Sequence, residues 1–275
     1  MAARARSRRW LTQFGEDERG AAALSKNLPE EKQMRGSERS WPRPTVAVVD
    51  GCSQVRESFQ PCFPSLDVLG TFATVEAFLG SGAACDLVVA DIVTDGVGSG
   101  AHVGLSAVDA LVAADHRVCV YTAERRVLVL AQCLAAGVAG LVNKSDPLSI
   151  NEEAFVVAAQ GGLPVADSLD GARDVVQRRG APPRLTLRQR QVLHARARGE
   201  SWQRLSDRLG ISAKTAYDRL ECVRAKFAWF LKDAGFGPEP SPADIEYALG
   251  LVPPHGLLPA HLILPDSAGQ RKRSA

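Results

Sequence analysis

From Thr45 onward, short continuous apolar runs alternate with longer stretches of mixed polarity. The runs are Thr45–Val49, Asp67–Thr71, Leu87–Ala90, Val118–Tyr121 and Ala139–Val142. They are rich in β-branched residues and lack a polar alternation, the pattern of strands buried on both faces. Helix-compatible stretches follow near 53–60, 74–80, 103–114, 124–136 and 149–160. Five short strands alternating with five helices predict a parallel sheet with helices on both faces. In such α/β folds the working site lies at the carboxyl ends of the strands.

Past residue 163 the period changes. A linker (164–183) with one predicted helix at 168–178 closes on Ala181-Pro182-Pro183. Thr186-Leu187-Arg188-Gln189 has the form of a capping box, opening a helix that runs to about Arg198 and stops at Gly199. Ser201 caps a second helix to Leu209, and Gly210-Ile211-Ser212 makes a turn into a third. There Ala216, Leu220, Val223, Phe227 and Phe230/Leu231 form one apolar stripe and leave Lys214, Tyr217, Asp218, Glu221 and Arg224 outward. Two short helices joined by a tight glycine-containing turn predict a helix-turn-helix.

Composition narrows the class. Of 275 residues 45% are apolar and 23% charged, which excludes collagen-like, coiled-coil and wholly disordered chains. No apolar run reaches the ~18–20 residues of a membrane helix. The six cysteines, at 52, 62, 85, 119, 133 and 222, form no C-x-x-C pair and are expected to be reduced and buried in a cytoplasmic protein. Ser7-Arg8-Arg9-Trp10-Leu11 resembles a twin-arginine export signal, but Gln13–Arg19 carries four charges where that signal needs an apolar stretch.

Charge divides the chain more sharply than its net +2 suggests. Residues 1–44 hold ten Lys/Arg and six Asp/Glu, and residues 45–180 hold eight and sixteen. Residues 181–232 hold twelve and four, and residues 233–275 hold three and five. An acidic block beside a compact basic one predicts two domains with different partners, the basic one facing a polyanion. Residues 1–44 are predicted to be a disordered basic arm, with a short helix possible at 17–26. The Pro-rich tail 252–275 contains the apolar Leu257–Pro265 segment, a candidate docking peptide, and ends in Arg271-Lys272-Arg273.

Asp50, Asp91, Thr122 and Lys144 fall at the carboxyl ends of four predicted strands. Such a rim can support phosphoryl chemistry: a carboxylate as nucleophile, a hydroxyl and an ammonium on phosphoryl oxygens, and a second acid helping to hold Mg²⁺. Through VVDG (48–51), DLVVADI (86–92), YTA (121–123) and GVAGLVNK (137–144), residues 45–163 resemble the flavodoxin-like receiver domain of response regulators. The resemblance implies Asp91 as phosphoacceptor, Asp50 as metal-binding acid, Thr122 as switch hydroxyl and Lys144 as the phosphate-side lysine. This chain departs from that family pattern in three places. Gly51 stands where a second acid is usual, Leu141 where an aromatic switch is usual, and Ile92-Val93-Thr94-Asp95-Gly96 lacks the usual proline. Two carboxylates alone, Asp50 and Asp91, imply a weak Mg²⁺ site.

Residues 185–227, within a domain spanning 184–251, resemble the LuxR-type DNA-binding domain of the NarL/FixJ family. The family's fourth helix, used for dimer contact, corresponds to Pro242–Leu249. Where the family commonly has T-V-K-x-H, this chain has Thr215-Ala216-Tyr217-Asp218-Arg219. The resemblance places Tyr217, Asp218 and Glu221 against bases. Either the acids accept from cytosine N4 or they lower affinity for phosphate. Arg188, Arg190, Arg204, Lys214, Arg219 and Arg224 are the phosphate-contact candidates.

The combined expectation is an α/β receiver followed by an all-α helix-turn-helix domain, in a cytoplasmic, non-enzymatic, homodimeric regulator of transcription that binds double-stranded DNA. Its degenerate receiver is expected to answer to dimerisation, a ligand or a partner. The alternatives are a conventional phosphorylated regulator served by a sensor kinase, or an RNA-polymerase-associated protein using the helix-turn-helix as sigma factors do.

Overall fold

The computed structural model describes residues 43–92 and 105–252. The arm up to residue 42, the predicted helix at 17–26, loop positions 93–96 and the segment 257–265 lie outside the described residues.

Five parallel strands form one sheet: β1 (Thr45–Val49), β2 (Asp67–Phe72), β3 (Leu87–Ala90), β4 (Val118–Thr122) and β5 (Gly140–Asn143). Their spatial order is β2-β1-β3-β4-β5. The apolar runs predicted these strands because β1, β3, β4 and β5 are covered on both faces. Edge strand β2 instead alternates between half-buried and exposed. Boundaries shift by one residue at β2, β4 and β5.

Five helices connect and follow the strands: α1 (Ser53–Cys62), α2 (Val75–Ser81), α3 (Leu105–Ala113), α4 (Val127–Ala136) and α5 (Leu148–Ala159). On the α1/α5 side, Phe59, Phe63, Tyr121 and Phe155 pack ring to ring with Val46, Val48 and Val89. The opposite face, carrying Ala47, Val88 and Val120, packs under α2, α3 and α4.

The chain then runs beside β5, where Leu141 N–H donates to Pro164 and Ala166 N–H donates back to Leu141. A 3₁₀ turn (Asp167–Leu169) leads into α6 (Asp170–Arg179), which packs on α4. Part of the expected linker is thus a sheet margin and a docked helix. Four further helices follow: α7 (Leu187–Ala197), α8 (Trp202–Leu209), α9 (Ala213–Asp233) and α10 (Pro242–Ala248). Thr186 and Gln189 close the predicted capping box, Ser201 and Ser212 cap α8 and α9, and Ser241 with Asp244 closes a second box on α10. Gly210 takes the left-handed conformation (φ 63°) that turns α8 into α9. The whole predicted stripe, Ala216 to Leu231, is buried.

The apolar layer under α4 continues through Ala172 and Val176 of α6 into Val192, Leu220, Phe227 and Ile245. Where α10 ends, Gly250 lies so close to α4 that a Cβ there would stand 2.8 Å from Val129 Cγ2. Burial of the cysteines holds for Cys119 and Cys133 only. Cys52 and Cys222 are exposed, and all six are free thiols. Among the described residues no helix is long and apolar enough to cross a membrane.

Phe155 is fully buried and touches three aromatic rings. Phe155→Ala is expected to cost about 3–5 kcal/mol through lost contacts and the cavity left behind. Urea unfolding followed by circular dichroism should show the corresponding fall in midpoint.

Candidate functional site

The parallel ladder runs one residue past β1, β3 and β5 at the carboxyl rim. Asp50 N–H donates to Phe72, Asp91 N–H to Val49 and Lys144 N–H to Thr122. These bonds bring the four predicted rim residues together. Asp50, Asp91 and Thr122 are buried. Lys144 Nζ stands between the two carboxylates, 2.6 Å from Asp50 Oδ2 and 2.6 Å from Asp91 Oδ2. Burial pulls the Lys144 pKa down, but Asp91 and Asp50 outweigh it and hold the ammonium above its usual pKa. The lysine is a fixed charge at the rim.

Asp50 Oδ1 accepts from Cys52 N–H at 2.7 Å. Arg56 Nη1, one turn into α1, donates to the carbonyls of Asp50 and Gly51. Mg²⁺ wants near-octahedral oxygen coordination at about 2.0–2.1 Å. Here two carboxylates are already bridged by an ammonium, and Gly51 offers no third. A Mg²⁺ ion here would have Asp50 and Asp91 as its carboxylates among the described residues, and would have to displace Lys144 Nζ from between them. Among the described residues no group of three His, Cys, Asp or Glu is placed to hold a metal. Leu141, at the aromatic-switch position, is fully buried in the sheet.

Thr122 Oγ1 accepts from Glu124 N–H at 3.1 Å. Glu124 itself is buried, and its Oε1 accepts from the N–H groups of Arg125 and Arg126. Those bonds hold the segment in an extended turn, so α4 begins at Val127 rather than near 124. The Arg126 guanidinium pairs with Glu124 through Nε and Nη2. Its Nη1 crosses to the end of α10, donating to the carbonyls of Tyr247 at 2.9 Å and Val252 at 2.7 Å. The same guanidinium lies over the Tyr247 ring. Glu246, one residue earlier and buried, accepts from Arg198 and meets His194 Nδ1 at 2.6 Å, tying α10 to α7. Sequence reasoning missed Glu124, Arg126 and Glu246. The only local signal was three charged residues directly after YTA, and nothing local says that they are buried.

On the helical unit, Lys214, Tyr217 and Asp218 are exposed on α9, while Arg219, Glu221 and Arg224 are half-buried. Both acids are paired along the helix, Asp218 with Lys214 at 2.9 Å and Glu221 with Arg224 at 2.8 Å. The Thr215 hydroxyl faces Ser212 Oγ at 2.8 Å, within the helix cap. Arg188 and Arg204 are exposed, with Arg188 donating to Gln191, and Arg190 is half-buried. Rim and helical face are separate places, joined through α4, α6 and α10.

No protein-family model and no curated protein matches the chain by sequence. Among solved structures it is similar to RcsB from Salmonella enterica serovar Typhimurium bound to promoter P1flhDC in the presence of phosphomimetic BeF3-. That match has 14% identity and a TM-score of 0.53 over 75% of this chain and 99% of that one. A second similar structure is the two-component response regulator RcsB in its DNA complex, at 14% identity, TM-score 0.50, and again 75% and 99% coverage. At these identities the likeness is one of fold. The chain shares with them a five-stranded parallel sheet followed by a helical unit.

Burial acting on Glu124 would raise its pKa, but the hydrogen bonds and charge of Arg126 outweigh burial and hold the carboxyl below its usual range. A depressed carboxyl stabilises the fold above the unfolded pKa of about 4.3 and loses that contribution as pH falls through the folded value. The melting-temperature gap between the parent and Glu124→Gln should therefore be full at pH 6 and shrink below about pH 4. Scanning calorimetry across that range checks it.

Proposed function

We propose that this chain is a sequence-specific transcriptional regulator that binds duplex DNA as a homodimer in the cytoplasm, with a receiver whose acyl-phosphate chemistry is impaired. The observation that carries the reading is the outward face of α9. It presents Lys214, Tyr217 and Asp218 to solvent, on a unit whose turn at Gly210 sets α8 against α9. In a helix-turn-helix the second helix enters the major groove while flanking cations meet phosphates. Residues 181–232, with twelve Lys/Arg against four Asp/Glu, supply those cations. Tyr217, Asp218 and Glu221 are the base-edge candidates, with Thr215 holding the helix start. Lys214, Arg219, Arg224, Arg188 and Arg204 are the phosphate candidates.

Control in this reading runs through contacts rather than through Asp91. Lys144 Nζ offsets one of the two carboxylate charges and lies between Asp50 and Asp91, so a metal there would compete with it. Thr122 is engaged by Glu124 N–H, and Leu141 has no polar ring tip to swing toward it. The rim instead leads through Glu124 and Arg126 to α10. Dimerisation, a ligand or a partner that displaces Arg126 would release that helix. Genome-wide DNA occupancy, followed by footprinting on recovered sites, tests the function as a whole.

With about four to six phosphates contacted per protomer, log K for the full chain on a recovered site should fall with log salt at a slope near −4 to −5. A titration from low to physiological salt measures it, and salt-independent or undetectable binding would remove the DNA reading. A small-molecule phosphodonor with Mg²⁺ should leave Asp91 mostly unmodified by intact mass, and Asp91→Asn should retain DNA affinity. Stoichiometric phosphorylation with a tenfold gain in affinity, about 1.4 kcal/mol, would reverse the view of the receiver.

A further inference from the structure

Trp202, the first residue of α8, stands half-buried between three helices. The Arg196 guanidinium of α7 lies over its ring at 4.2 Å, and the Tyr217 ring of α9 meets it nearly edge-on at 5.7 Å and 61°. Arg196 is itself held by a hydrogen bond to the Glu200 carbonyl. The three side chains make a stack that ends on the outward face of α9, where Tyr217 remains 51% exposed.

The neighbours of that ring decide what it can read. Lys214 is paired with Asp218 and Glu221 with Arg224, so the charged groups flanking Tyr217 already partner one another. The group left presenting apolar surface between them is the tyrosine ring. A tyrosine has only two side-chain torsions, and an edge-to-face partner restrains both at small entropic cost. In the major groove the one apolar feature on any base edge is the thymine 5-methyl group.

We propose that Tyr217 reads a thymine methyl in the major groove, with Trp202 as the positioning residue that fixes the ring's angle. This deepens the DNA-binding reading above and rests on it. Asp218 and Glu221 then act chiefly by restraining Lys214 and Arg224, rather than as acceptors from cytosine.

The test uses the full chain on a duplex recovered by selection from random sequence, with each thymine replaced singly by deoxyuridine. At one position per half-site, loss of the methyl should weaken binding about fourfold. That factor is the ~0.8 kcal/mol of one buried methylene-sized group converted at 1.4 kcal/mol per decade. Tyr217→Phe should keep that thymine-to-uracil ratio, and Tyr217→Ala should bring it to unity. Trp202→Ala should also abolish the ratio, and Trp202→Phe should restore it, which a general packing role for Trp202 would not require. Uniform indifference of the parent to deoxyuridine overturns the proposal while leaving DNA binding intact. So does loss of the ratio in Tyr217→Phe, which would assign the contact to the hydroxyl. If Trp202→Ala does not fold, the Trp202→Phe and Tyr217 variants still decide the matter. Absence of any duplex binding by the parent overturns the DNA-binding reading and this proposal together.

Discussion

Two carboxylates, Asp50 and Asp91, end adjacent parallel strands and are buried side by side, and the ammonium of Lys144 bridges them. Like charges brought out of water repel and lose hydration, and removing a lone counter-charge from such a group leaves an uncompensated buried charge. The rim is therefore organised around one lysine. Its position follows from β4–β5 pairing, which continues through the Lys144 amide to Thr122. The start of α1 follows as well, because Asp50 takes the Cys52 amide and Arg56 takes the carbonyls of Asp50 and Gly51. One ammonium thus offsets one of the two buried carboxylate charges and fixes the position of both.

A second buried charge carries the rim outward. Glu124 is satisfied by two backbone amides and the Arg126 guanidinium, whose Nη1 donates to the carbonyls of Tyr247 in α10 and Val252 beyond it. The carbonyl end of a helix is partially negative, so a guanidinium is well placed there. From α10 the contacts continue through Glu246 to Arg198 and His194 of α7. Thr122, Glu124, Arg126, α10 and α7 thus form one unbroken series of polar contacts. It runs alongside the apolar layer that joins α4, α6 and the helical unit. The outward side of α9, with Lys214, Tyr217 and Asp218, lies outside that series.

Much of this architecture was legible in the chain. Continuous apolar runs identify strands covered on both faces, and the Thr186, Ser201 and Ser212 caps with Gly210 mark helix ends through bonds between residues three apart. Asp50, Asp91, Thr122 and Lys144 could be grouped because in a parallel sheet every strand delivers its last residue to the same rim. The register of the α9 stripe followed from its period. Each of these inferences depends on interactions local in sequence or on the repeat of a regular element.

Tertiary structure alone decided the partners. Glu124 and Arg126 look like surface charges until α10, more than a hundred residues later, covers them. Trp202 looks like a solvent-exposed helix start until Arg196 and Tyr217 close on it from two other helices. The linker looks free until residues 164–166 bond to Leu141 and α6 docks on α4. Composition, period and capping chemistry determined which elements form and which residues end them. The pairing of buried charges and rings was set by burial, which depends on what distant elements bring and leaves no mark on the local pattern.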